Sequence, residues 1–173
     1  YSEDFEGAPS FVFVNGAVNK WVVGTAVNHG GIKSLYISKD GGQSNEYNPN
    51  TGRREVSHLY QDFIVPSDAL KLAIAFDWRC VGEGSYDNFK VWLVPITFVP
   101  QAGTKINERD RAMIRVGQNA YSNAANFQRE QVLLDAASFA GQTMRLLIEW
   151  SQDESQGNNP AAAIDNLNVT AIN

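Results

Sequence analysis

The chain has 173 residues, 43% of them apolar and 19% charged, which suits one folded domain over 1–173 with a single substantial core and argues against disorder. Its net charge of -5 and pI near 5.0 argue against general binding to a phosphate backbone, so no nucleic-acid partner is expected. No apolar run reaches the roughly 18 residues of a membrane span, so no transmembrane segment is expected. The N-terminus lacks a basic segment ahead of an apolar stretch, and the chain beginning at Tyr1 reads as mature or trimmed.

In chain order, Asp4-Phe5-Glu6-Gly7 opens the domain, with Phe5 inward and Asp4 and Glu6 on the opposite side of a first strand. Trp21-Val22-Val23, Ser34–Ser38 and Ser57–Val65 read as further strands. The strongest pattern is Leu70–Arg79, where Leu70, Leu72, Ile74, Phe76 and Trp78 alternate with Lys71, Ala73, Ala75, Asp77 and Arg79. After the turn-rich Gly82-Glu83-Gly84-Ser85, Phe89, Val91 and Leu93 alternate with Lys90, Trp92 and Val94, which predicts a strand neighbouring the previous one. Asn107–Arg115 is the one rival for a helix, and Asp135–Phe139 suits a short turn. Glu130–Leu134, then Thr143–Trp150 with Met144, Leu146, Ile148 and Trp150 on one side, and finally Ile164–Ala171 complete the strands. Turn chemistry separates them, as in Asn28-His29-Gly30-Gly31, Lys39-Asp40-Gly41-Gly42 and Gln156-Gly157-Asn158-Asn159-Pro160. Many short strands with little helix predict two packed antiparallel sheets, an all-β sandwich whose single core takes Leu72, Ile74, Phe76, Val91, Leu93, Leu146, Ile148, Leu167 and Val169.

Enzyme motifs are absent. There is no Gly-x-Ser-x-Gly elbow, no Walker loop, no His-Glu-x-x-His and no Cys-x-x-Cys. Cys80 is the only cysteine and reads as a buried inert thiol, and His29 and His58 read as surface or hydrogen-bonded structural residues. A glycosidase pair needs two carboxylates across a cleft, but Asp77, Glu83, Asp87 and Glu149 all read as solvated strand-face groups. The expectation is therefore a non-enzyme, with a polysaccharide-acting hydrolase or lyase as the alternative.

Asp4-Phe5-Glu6-Gly7 at the start and Ala163-Ile164-Asp165-Asn166-Leu167-Asn168-Val169 at the end would collect acidic groups at the sandwich rim, where a cation or strong hydrogen bonds must offset their desolvation. With Trp21, Ser34-Leu35-Tyr36-Ile37-Ser38, Phe76-Asp77-Trp78 and Tyr86-Asp87-Asn88-Phe89-Lys90-Val91-Trp92-Leu93 between them, the chain resembles the cleaved-adhesin and choice-of-anchor jelly-roll modules of secreted bacterial proteins, relatives of the MAM fold. Departures are the charged Thr104–Asn126 insertion and Asn166 where a second acid is common. The resemblance implies a galactose-binding or concanavalin-like jelly roll, an extracellular or cell-surface module of a larger secreted protein that binds carbohydrate or a surface protein. It also implies structural calcium, with ligands carried onto Glu6, the Asn28 side chain, the Lys33 carbonyl and Asp165, and with Asp4 in reserve. For the ligand itself, Trp21, Trp78 and Trp150 belong to the core. Trp92 shares the side of Lys90 and is expected to be partly exposed as a stacking surface, with Lys90, Asp77 and Arg79 as polar neighbours. Burial under the Thr104–Asn126 insertion is the competing reading of Trp92.

Overall fold

Each alternating segment becomes a strand in the computed structural model, which describes residues 1–173. In order the strands are β1 (Ser2–Glu3), β2 (Val12–Val14), β3 (Lys20–Gly24), β4 (Ser34–Ser38), β5 (Glu55–Ile64), β6 (Lys71–Cys80), β7 (Asn88–Pro95), β8 (Ile114–Tyr121), β9 (Ala124–Asp135), β10 (Thr143–Gln152) and β11 (Ala163–Ile172). One sheet has six strands in the order β3-β4-β11-β6-β9, with β1 also paired to β11, and the other has five in the order β2-β5-β10-β7-β8. All pairs are antiparallel. The architecture is an all-β jelly-roll sandwich, as the alternation required.

The nine residues assigned to the core do share one cluster, filled out by Trp21, Trp78, Trp150 and Phe5. Across the sandwich, Trp78 of β6 meets Tyr121 of β8 edge-on at 4.9 Å between ring centroids and Phe89 of β7 at 5.7 Å, while Phe89 and Tyr121 stack at 4.7 Å. These rings join the two sheets at the end where β6 gives way to β7. Cys80 is buried among them, and burial pushes its thiol well above the ordinary range, so it is inert.

Several local expectations are corrected. Strands β6 and β7 are not neighbours but lie in opposite sheets. The 81–87 segment, closed on itself by a bridge between Glu83 and Asp87, carries the chain across the core, so that Phe89 faces Trp78. Leu70 falls just outside β6 and is 65% exposed. Asn107–Arg115 is not helical. Asn107 Oδ1 accepts from the Arg109 amide at 3.1 Å and Asp110 Oδ1 from the Ala112 amide at 3.0 Å, and these short side chains compete with helical bonding until β8 begins at Ile114. Glu130–Leu134 is one part of the twelve-residue β9, whose polar outer positions hide its length. Phe5 is buried as expected, yet β1 ends at Glu3, so Asp4 and Glu6 lie beyond the strand.

Both faces of β10 are buried because the segment after β7 folds back over the five-stranded sheet. Phe98, Ile106 and Met113 from that roof pack on Trp92, Val94, Leu147 and Tyr60, a second small core outside the main one. Glu149 anchors the roof: its Oε2 accepts from the Ile106 amide at 2.7 Å and bonds His58 Nε2 at 2.9 Å, and His58 is fully buried.

Candidate functional site

The roof decides the fate of Trp92. Parity places its ring on the outer side of β7, but only 1% of it is exposed, with the Arg115 guanidinium 4.4 Å from the ring centroid, so no face is open for stacking. Burial under the insertion is the observed state. Lys90 is also buried and bonds Glu108 at 3.2 Å. Asp77 and Arg79 lie on the outer face of the other sheet, so the four residues expected at one ligand site divide two and two.

The face carrying Asp77 and Arg79 is the more open one. Along β6 the outward positions run Ala73, Ala75, Asp77, Arg79, and across from them on β9 stand Leu133, Gln131 and Arg129, followed by Phe127. The two alanines leave a shallow groove of about 260 Å³ walled by Gln131 and Leu133, and Leu133 is 60% exposed. Next along the sheet, the His29 imidazole lies flat on the Phe127 ring, 5.0 Å between centroids and 8° from parallel, and the Arg79 guanidinium sits 5.7 Å from the same ring. Beyond Arg79 a polar hollow of about 450 Å³ is lined by Gln43, Ser44, Asn45, Glu46 and Asn159 among others.

These groups are held. Asp77 receives Asn166 Nδ2 at 2.7 Å, Arg129 Nη1 at 3.1 Å and His29 Nδ1 at 3.0 Å. Burial alone would raise its carboxyl, but the bonds from Asn166, His29 and Arg129 hold it below the usual carboxylate range. An ionised carboxylate only accepts, so Nδ1 of His29 donates to it, and Nε2 has no protein partner. A bulge in β11 between Asp165 and Asn168, with Asn166 at φ 50°, turns the Asn166 amide onto both Asp77 and the His29 carbonyl. Arg79 donates through Nε at 3.1 Å and Nη2 at 2.9 Å to Asn45 Oδ1, whose amide group is itself tied to three backbone carbonyls. The result is a fixed platform of ring, cation and amide. The expectation that Asp77 is solvated is corrected: the 25–33 loop and Asn166 cover it.

Two of the residues assigned to calcium, Glu6 and Asp165, hold the same loop. Glu6 Oε1 accepts from the Ile32 and Lys33 amides, each at 2.9 Å, and Asp165 accepts from the His29 amide at 2.7 Å and the Asn166 amide at 2.8 Å. The 28–33 loop is thus pinned between the two carboxylates, and Gly31, at φ 64°, has Glu6 where a side chain would begin. Asp165 is fully buried, and its carboxyl is raised first by that burial and further by Asp77 and Glu6 nearby. Oxygen chemistry suited to a hard cation is present, since Glu6 Oε2 has no protein partner and Asn28 is exposed, while both Asp165 oxygens accept backbone amides. Another cluster, Glu83, Asp87 and Asp153, brings carboxylate oxygens within 4.8 Å of one another. Asp87 and Glu149 are buried rather than solvated, and burial lifts the Asp87 carboxyl to about 6.

No protein-family model matches the chain, and no curated protein sequence matches it. Solved structures do. The xylan-binding CBM22-1 domain of Paenibacillus barcinonensis Xyn10C superposes with a TM-score of 0.56 at 11% identity, over 99% of this chain and 92% of that one. The K1 cleaved-adhesin domain of the Lys-gingipain of Porphyromonas gingivalis W83 gives 0.54 at 14% identity, over 100% and 98%. A Stig cyclase from Fischerella gives 0.53 at 15%, over 95% and 85%. The chain shares their jelly-roll fold. The resemblance to cleaved-adhesin modules therefore holds at the level of fold, and at these identities fold is what the likeness carries.

Sequence reading does not single out Phe127, Asn45 or Arg129, and it takes His29 as a surface or hydrogen-bonded structural residue rather than part of a binding face. Phe127 carried a usable signal, since it stands between Asn126 and Gln128 and keeps the parity of Arg129 and Gln131, which marks an aromatic on a solvent side.

Proposed function

We propose that the protein is an extracellular, non-catalytic binding module that holds a carbohydrate on the outer face of its six-stranded sheet. The observation that carries this is the platform there: the stacked His29 and Phe127 rings beside Arg79 and Asn45, with a shallow groove along the sheet on one side and a polar hollow on the other. Sugars need an apolar ring face together with fixed polar groups, and this surface supplies both. Two structural neighbours, a xylan-binding domain and a cleaved-adhesin domain, each one domain of a larger protein, support the same class of function. Against the alternative of a hydrolase or lyase, Asp87 has no exposed surface, so a glycosidic bond cannot lie between it and Glu83, and Asp77 is spent on three hydrogen bonds. A surface protein is the other class of partner the face would suit.

A glycan array tests the reading. The parent is expected to bind a neutral glycan without turning it over, and Phe127→Ala and Arg79→Ala to weaken that binding about tenfold or more, through lost stacking and a lost charge-assisted bond. Undiminished binding by both variants would remove the platform from the site.

Structural calcium at Glu6, Asp165 and oxygens of the Asn28–Lys33 loop belongs to the same proposal. A cation there would offset the burial, and the smaller repulsion from Asp77 and Glu6, that raise Asp165, and would tie the start of the chain to β11. Ion at one hundred times its dissociation constant stabilises a fold by about 2.7 kcal/mol. For a domain of this size that is roughly 5 to 11 °C in melting midpoint. Chelator should lower the midpoint of the parent by that order and leave Asp165→Ala unaffected. An unchanged parent midpoint would leave Glu6 and Asp165 as partners of the loop amides alone.

A further inference from the structure

A second concave surface has different chemistry. Beside the roof, on the outer side of the five-stranded sheet, a recess of about 970 Å³ is lined by Arg54, Lys90, Lys105, Arg109 and Arg115, with Glu108 as its single carboxylate. Five of the chain's 14 cationic side chains therefore face one hollow in a protein whose net charge is -5.

Internal pairing accounts for two of the five. Glu108 bonds Lys90 at 3.2 Å and Arg115 at 3.1 Å, and Arg115 also lies on the Trp92 ring and donates to Asn119. Arg54, Lys105 and Arg109 have no carboxylate within salt-bridge distance. Arg115 Nε is buried with no acceptor, an unmet donor in the same wall. Burial lowers the Lys105 ammonium and Lys90 and Arg54 lower it further, against the smaller opposing pull of Glu149 and Glu108. The roof that buries Trp92 is what assembles these cations, since Lys105, Glu108 and Arg109 belong to it while Lys90 and Arg115 come from β7 and β8.

We propose that this recess is a second binding site, which takes the anionic group of an acidic polysaccharide, a uronate carboxylate or a sulfate ester. That the anion is carried by a saccharide rests on the binding-module reading; that it is an anion rests on the recess alone. The volume suits a sugar unit with its charged substituent better than a lone ion. No aromatic side chain lines the recess, so it lacks the stacking surfaces that single-stranded nucleic acid uses.

The test is isothermal titration of the whole chain with polygalacturonate, with its methyl-esterified neutral form and with chondroitin sulfate, at low and high salt. Polygalacturonate, chondroitin sulfate or both should bind, the two polymers separating uronate from sulfate recognition. The methyl ester should bind about tenfold or more weakly, and added salt should weaken the acidic polymers. The double variant Lys105→Gln/Arg109→Gln should lose about tenfold or more for the acidic polymers and keep its binding to a neutral glycan on the six-stranded sheet. Equal binding of the methyl ester, acidic binding indifferent to the double variant, no acidic binding, or preference for an RNA oligonucleotide would each overturn the proposal. Acidic binding that fails while neutral glycan binding persists overturns this site alone. The reverse result would overturn the platform on the other sheet and leave this site standing.

Discussion

Trp78→Ala is expected to destabilise the domain by about 3–5 kcal/mol, the range for truncating a large buried ring. Typical domains hold only 5–15 kcal/mol in reserve, so this one change removes a large share and should lower the melting midpoint by roughly 6 to 20 °C. The reason is position. Trp78 touches Phe89 and Tyr121 from the opposite sheet, so its loss empties the contact that joins the sheets beside the 81–87 crossing. Trp78→Phe keeps a ring there and should cost less. A midpoint unchanged in Trp78→Ala would mean that the sheets are held together elsewhere.

Glu149→Ala has the second largest expected effect, about 3 kcal/mol, because it strips a buried carboxylate from both His58 and the Ile106 amide and leaves their polar groups without a partner. Its particular consequence is local. The roof loses its anchor, so Trp92 should become accessible to acrylamide and its emission should shift to the red. Glu149→Gln retains an acceptor oxygen and should fall between the two. If Trp92 stays protected in Glu149→Ala, then Phe98, Ile106 and Met113 hold the roof by packing alone.

Trp92 also shows where reading the chain succeeds and where it stops. The alternation of Val91 and Leu93 with Lys90 and Trp92 assigns the side of the sheet correctly, because side-chain direction in a strand is a local property. Whether that side meets water depends on Phe98, Ile106 and Met113, which are spread over sixteen residues with no period to betray them. Strand pairing is likewise non-local. A turn-rich 82–85 looks the same whether it closes a hairpin or crosses the core, and only the packing of Phe89 on Trp78 distinguishes them. The binding platform is legible in part for the same reason. Asp77 and Arg79 are visible as outward groups of one strand, but His29 comes from a loop and Phe127 from β9, and topology alone brings them to one place. Glu6 and Asp165 lie at an intermediate level: the two acids from opposite ends of the chain bond different amides of one loop, Glu6 those of Ile32 and Lys33 and Asp165 that of His29.

Nuclear magnetic resonance of the isotope-labelled chain, titrated with the glycan found on the array, tests binding at the outer face of the six-stranded sheet most directly. Shifts are expected in the His29 and Phe127 ring signals, the Arg79 Nε resonance and the Asn45 side-chain amide, with the Trp92 indole undisturbed. Saturating shifts elsewhere, with His29, Arg79 and Phe127 silent, would contradict it.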